Sequence, residues 1–237
     1  MRLDKLLSNM GYGSRKDIKI GIKKHLIKVN GEFPKTASLH VDPDKDEVLV
    51  NGERVVYKPV VYLMMNKPAG VISATEDRVD ETVVDLVEEE FTYYDLHPIG
   101  RLDKDTVGLL ILTNDGRLSH DLLTPKKHVP KTYYAKIDGQ VTEADVKAFA
   151  KGLNINDEYM TLPAKLKILS SGTESEVEVT IYEGKYHQIK RMFVNRGKEV
   201  TYLKRLSMGG LLLDESLEEG MSRELTEGEL VLLQQRD

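Results

Sequence analysis

From Val61 onward the chain carries strand-like runs, VYLMMN, LLILTN, KTYYAKIDG, AKLKIL and SEVEVTIYEG, separated by helical stretches at 82–90, 142–151 and 188–195. Mixed strands and helices without regular βαβ alternation predict an α+β domain with a mainly antiparallel mixed sheet and flanking helices. A chain of 237 residues has room for one such core and a small extra domain. The predicted division is a first domain at 1–52, a linker at 53–60 (ERVVYKPV) and a second domain at 61–237.

The first segment reads as two helices and a strand. Leu3, Leu6, Leu7 and Met10 share one helical face, which Gly11 and Gly13 end. Ser14 sits three residues before Asp17, close to a capping box, and the helix it opens is expected to bury Ile18, Ile22 and Leu26. Arg15, Lys19 and Lys23 repeat at i, i+4 and i+8 on the outward face, next to Lys16. LIKVNGE alternates as a strand does and enters an Asn30-Gly31 turn; EVLVNGERV repeats the pattern around Asn51-Gly52. Residues 1–35 hold nine Lys/Arg against three Asp/Glu, a net +6, whereas the whole chain carries −5, leaving −11 for the remainder. A basic stripe beside a small sheet can neutralise several phosphates, the sequence-independent part of RNA affinity. The same charges could also be a solvated face and nothing more. Through RLDKLLSNMGYGSRKDIKIGIKKHLIKVNG the segment resembles the S4 RNA-binding domain, a likeness over roughly residues 1–50 that implies an αα-β RNA-binding module.

Several chemistries are excluded or weakened by what is absent. Without cysteine there is no disulfide, thiolate nucleophile or zinc–sulfur site. The six histidines (His25, His40, His97, His120, His128 and His187) show no H-x-x-x-H or H-E-x-x-H spacing, so no metal is expected. There is no GxxxxGK[ST] phosphate loop. No run of about 18 apolar residues is present to span a membrane. The charged start, MRLDKLLSNMGYGSRKD, lacks the apolar core of a secretory signal. A cytoplasmic monomer is expected.

Three strings carry the chemistry. In HPIGRLDKDTVGLLILTNDG (97–116), Asp103 lies in a polar loop just before an apolar strand, where a rigid element can present a carboxylate to a groove. Arg101, two residues away, falls on the same side if the chain is extended. Taken alone, Asp103, Asp105 and Asp115 read as turn formers. In PKTYYAKIDG (130–139) a strand places Tyr133 and Tyr134 on opposite faces. In EGKYHQIKRMF (183–193), Gly184 leads from a strand into a helix carrying Lys190 and Arg191, which by themselves are ordinary surface cations.

Together, GRLD-x-x-T-x-GLLxLTNDG, KTY and GKYHQIKRM resemble the signature of RNA pseudouridine synthases of the RsuA/RluB branch. The resemblance implies that Asp103 is the catalytic carboxylate, that Tyr133 packs against the target base, and that Lys190 pairs with Asp103. At position 190 a lysine supplies a point charge where other branches use the arginine fork. Arg101 and Arg191, with Arg15, Lys16, Lys19 and Lys23, are expected to contact RNA, while His187 is expected in a structural or RNA-contact role. The implied reaction detaches uracil from C1′, rotates it and rejoins it through C5, an isomerisation for which no cofactor is expected. The carboxylate could attack C1′ or remove a proton from C2′ to give a glycal, and both routes stay open. The target uridine must leave its stack in either case. YLMMNKPAGVISATED (62–77), FAKGLNINDEYMTLPAKL (149–166) and KYHQIKRMF lean toward the small-subunit branch of the family. That likeness implies 16S rRNA or a small-subunit assembly intermediate as partner, with modification at the uridine numbered 516 in the usual rRNA numbering. The alternatives are a 23S rRNA synthase of the RluB/E/F branch and a non-catalytic rRNA-binding assembly factor.

Overall fold

A computed structural model describes residues 1–124, 127–156 and 159–235. Two compact units emerge, Met1–Val61 with Glu88–Asp95, and Tyr62–Val87 with Leu96–Asp237.

The first unit contains α1 (Leu3–Asn9), α2 (Arg15–Lys23), β1 (Ile27–Val29), β2 (Val48–Val50) and β3 (Glu53–Arg54). Leu3, Leu6 and Leu7 are each at most 1% exposed, a burial contributing on the order of 2 kcal/mol per side chain. Ser14 and Asp17 form the reciprocal capping box at the start of α2. Ile18 is buried as its spacing requires, but Leu26 is 42% exposed. The helix ends at Lys23 and His25 adopts φ +57°, so Leu26 no longer follows the helical phase. Asn30 and Gly31, and again Asn51 and Gly52, adopt the paired positive φ values of tight hairpin turns. The first turn returns the chain only as far as Glu32; β1 pairs instead with β2, and the second turn joins β2 to β3.

Two boundaries differ from the sequence reading. The 53–60 stretch, expected as linker, contributes β3 to the first sheet. Residues 88–95 also belong to this unit, because the Tyr94 hydroxyl donates to the Lys58 carbonyl at 2.9 Å and Tyr93 packs on Gly11. The helix expected at 82–90 is absent: Thr82 and Asp85 close a side-chain-capped turn, and only a 3₁₀ turn follows at Glu89–Phe91.

The second unit is α+β. Its elements are β4 (Tyr62–Lys67), β5 (His97–Pro98), β6 (Val107–Thr113), α3 (Gly116–Leu123), β7 (Lys131–Asp138), α4 (Glu143–Lys151), β8 (Asn154–Asn156), β9 (Tyr159–Met160), β10 (Lys165–Ser170), β11 (Glu174–Ile181), α5 (Gln188–Asn195), β12 (Glu199–Met208), β13 (Leu211–Leu212), β14 (Ser222–Glu224) and α6 (Glu227–Leu233). The main sheet runs β10-β11-β7-β12-β6-β4-β14, with β13 on β12 and β5 on β6. It is mixed: β12 pairs with β6 in parallel and the other pairs are antiparallel. Every residue of β6 is buried, the pattern of a strand covered on both faces, whereas β7 alternates strictly. At the β6–β12 seam Gly108 has φ +100°, and a Cβ there would fall 2.4 Å from the Arg205 carbonyl oxygen. The seam closes only because position 108 has no side chain.

Candidate active site

Asp103 sits in the loop that feeds β6, and that loop is tied down on several sides. Ser73 Oγ donates to the Leu102 carbonyl and accepts from the Leu102 amide, both at 3.0 Å. The Thr106 amide closes a turn onto the Asp103 carbonyl at 3.0 Å. Lys67, fully buried at the end of β4, donates from Nζ to the carbonyls of Pro68 (2.9 Å), Thr106 (3.0 Å) and Lys104 (3.4 Å). Burial lowers its pKa to about 8, against the opposing pull of Asp105 and Asp103. An ammonium caged by carbonyls on either side of the turn fixes the backbone from which the Asp103 carboxylate projects.

The second half of the site comes from the turn into α5. Ile189, Met192 and Phe193 are buried, an i, i+3, i+4 stripe that turns α5 toward the core and leaves Lys190 a different heading. Ahead of the helix, buried Glu183 accepts from the Leu162 amide (2.8 Å), from Gln188 Nε2 (3.0 Å) and from the Tyr159 hydroxyl. Burial, then the adjoining Glu183 carboxylate, pushes the Tyr159 phenol up to about 12. His187 adopts φ +50° and its ring stacks on Tyr186 with centroids 3.8 Å apart.

These two segments meet. Lys190 Nζ lies 3.2 Å from Asp103 Oδ2 and 2.6 Å from Asp105 Oδ1, and His187 Nε2 lies 3.6 Å from Asp103 Oδ1. Burial works against the Lys190 charge, but the hydrogen bonds to Asp105 and Asp103 outweigh it and raise the pKa. For Asp105 burial is likewise outweighed, by Lys190, and the carboxyl is held below its ordinary range. All four carboxylate oxygens cannot be matched by one ammonium, so Asp103 keeps acceptor capacity toward the cleft.

The cleft has a volume of about 680 Å³, and Arg101, Asp103, Tyr133, His187, Lys190 and Arg205 are among its walls. Tyr133 is 7% exposed, while Tyr134 points to the opposite face and meets Tyr202 edge-on. Of the residues singled out in sequence, Asp103, Tyr133, Lys190 and Arg101 thus line one cleft. Arg191 does not: its guanidinium donates to the carbonyls of Ile155 and Tyr186, bracing the turn. Arg15, Lys16, Lys19 and Lys23 are exposed in the first unit. Asp115 caps α3 and accepts from the Tyr62 hydroxyl at 2.8 Å, in keeping with its reading as turn chemistry. Among the described residues no group of three or more His, Asp or Glu is placed to hold a metal ion, and no helix is long and apolar enough to cross a membrane.

Comparison with known proteins places the chain in a family. Residues 61–195 match the family model of RNA pseudouridylate synthases, a span that contains Asp103, Tyr133 and Lys190. The chain belongs to the RNA pseudouridine synthase family. Among curated relatives, the synthase is 53% identical to the uncharacterized RNA pseudouridine synthase YtzG of Bacillus subtilis, over 98% of each chain. It is 39% identical to the ribosomal small subunit pseudouridine synthase A of Haemophilus influenzae, over 97% of this chain and 98% of that one. A pseudouridylate synthase crystal structure superposes with a TM-score of 0.69 at 37% identity, covering 98% of this chain and 99% of the other.

Lys131 and Arg205 in the cleft wall and Lys67 beneath the Asp103 loop escape the sequence reading, which took Asp105 only as a turn former. Lys67 was signalled by a cation closing the apolar run YLMMNK. Lys131 was signalled by strand alternation, which sets it on the Tyr133 face. Asp105 and Arg205 gave no local sign, because their neighbours come from distant segments.

Proposed function

We propose that the synthase isomerises a uridine of 16S rRNA, at the position numbered 516, with Asp103 as the catalytic carboxylate. The observation that carries this reading is the Asp103–Lys190 contact at 3.2 Å inside a cleft that Tyr133 also lines. Lys190 neutralises and orients Asp103, a positioning task in which small displacements are costly. Asp103 then acts on the ribose, either at C1′ as nucleophile or at C2′ as base. Tyr133 offers its ring to the extruded uracil, and Arg101 at the cleft wall contacts the phosphate or fills the vacated stack.

The first compact unit serves as an S4-like RNA-binding module and the second as the catalytic domain. Its support is the exposed row of Arg15, Lys16, Lys19 and Lys23 on α2, which can follow a phosphate backbone. The partner is 16S rRNA or a small-subunit assembly intermediate, met by a monomer in the cytoplasm and without a cofactor. The curated small-subunit synthases to which the chain is similar favour this target over 23S rRNA.

The test is the modified position itself. Pseudouridine mapping of rRNA from a strain lacking the gene should show one 16S uridine left unmodified, restored by the wild-type gene. Loss of a 23S pseudouridine in its place would overturn the substrate assignment, and an unchanged map would favour a binding factor that kept the fold.

A further inference from the structure

Lys131 and Arg205 both line the cleft, yet neither is used above. Alternation along β7 puts Lys131 on the Tyr133 face, and the register sets Arg205 directly opposite Tyr133 across β7 and β12. Lys131 is 9% exposed and Arg205 2%. Lys131 Nζ donates to the Val129 carbonyl at 3.1 Å, and Arg205 Nε to the Leu109 carbonyl at 2.6 Å. Arg205 Nη2 is buried with no hydrogen-bond partner. Among the described residues neither cation forms an ion pair. Burial, and then the charge of Arg205, lowers the Lys131 pKa to about 8. Two buried cations in one cleft wall, one with an open N–H, are costly, and an anion bound there would answer both.

Resting on the reading of Asp103 and Tyr133 given above, we propose that Arg205, supported by Lys131, receives the uracil anion released when the glycosidic bond breaks. In that step the C1′–N1 bond breaks and its electron pair stays on N1, the charge spreading over N1, O2 and O4. Asp103 either forms a bond to C1′ or takes the C2′ proton as the C1′–C2′ double bond forms; no oxidant or reductant enters. A base stacked on the Tyr133 ring turns an edge toward the neighbouring strand, where directly opposed side chains start about 5 Å apart. Arg205 stands at that place, and its planar fork matches carbonyl oxygens better than a point charge would. A donor fixed before the charge develops, in a site shielded from water, stabilises the departing base at little reorganisation cost. Holding the detached ring also keeps it in place while it turns to present C5.

The test compares Arg205→Lys with wild type, with Lys131→Met as a second variant should the first unfold; thermal melts check both. Single-turnover conversion of uridine in 16S rRNA should slow by about 100-fold in Arg205→Lys, with RNA affinity within about two-fold. The same RNA carrying 5-fluorouridine at the target separates a leaving-group role from a structural one. Fluorine stabilises the uracil anion, so the variant's deficit in consuming 5-fluorouridine should shrink to about ten-fold. Equal deficits on the two RNAs would overturn the inference, pointing to a role in packing alone. Weaker RNA binding with a normal rate at saturation would overturn it too, in favour of a phosphate contact. A wild-type protein that leaves uridine intact in this RNA overturns the underlying reading, and the inference with it, before any variant is compared.

Discussion

Lys190 Nζ lies 3.2 Å from Asp103 Oδ2, joining the loop ahead of β6 to the first turn of α5. The same ammonium is closer still to Asp105, at 2.6 Å, so Asp103 is held by a cation it shares. Sharing leaves the Asp103 carboxylate oriented but not saturated, which suits the role at the ribose proposed for it.

Lys190→Met is therefore expected to lower the saturating rate by about 100-fold, since a loosened carboxylate loses its geometry before it loses its charge. Asp105→Asn, which leaves Lys190 to Asp103 alone, should cost much less. Single-turnover tritium release from 5-tritiated uridine RNA measures both, and equal losses would contradict the shared-cation account.

Tyr133→Phe should keep most activity, because the stacking surface survives. Tyr133→Ala removes it and should weaken the reactive complex by about 1–3 kcal/mol. If the phenylalanine variant fell as far as the alanine one, the hydroxyl and not the ring face would be the working group.

The buried Asp145 predicts a pH dependence of stability. It accepts from the Thr142 amide (2.9 Å), Arg196 Nε (2.9 Å) and Lys198 Nζ (3.2 Å). Burial alone would raise its pKa, but these hydrogen bonds outweigh it and the carboxyl is held below its ordinary range. A depressed folded-state pKa gives stability that is present above the unfolded value and lost as pH falls through the folded one. Asp145→Asn should thus cost about 3 kcal/mol at neutral pH. The gap to wild type should narrow below pH of about 4. Urea unfolding across that range checks it, and a pH-independent gap would argue against the linkage.

For the first unit, Lys19→Ala and Lys23→Ala should each weaken RNA binding without regard to sequence. Each should flatten the plot of log affinity against log salt by about 0.7–0.9. An unchanged slope would mean that the α2 stripe is only a solvated face.

The α+β class, the capping box at Ser14 and Asp17 and the two Asn-Gly turns were legible because each is a local property of a few residues. The meeting of Asp103, Tyr133 and Lys190 came from motif likeness and not from spacing, since three separate segments supply them. What local reading missed has a common cause. Position 82–90 has helix-like spacing, but Thr82 and Asp85 spend their polar groups on one closed turn. Leu26 continues an apolar pattern past a backbone break at His25. Arg205 looks like any strand cation until β6 and β7 close around it. Long-range burial decides such residues, and periodicity does not record it.

The central claim is that Asp103 performs the chemistry, and Asp103→Asn addresses it most directly because the amide keeps the shape and removes the charge. Tritium release from 5-tritiated uridine in 16S rRNA should be abolished in this variant while its RNA affinity and thermal stability stay near wild type. Release at a rate comparable to wild type would contradict the account.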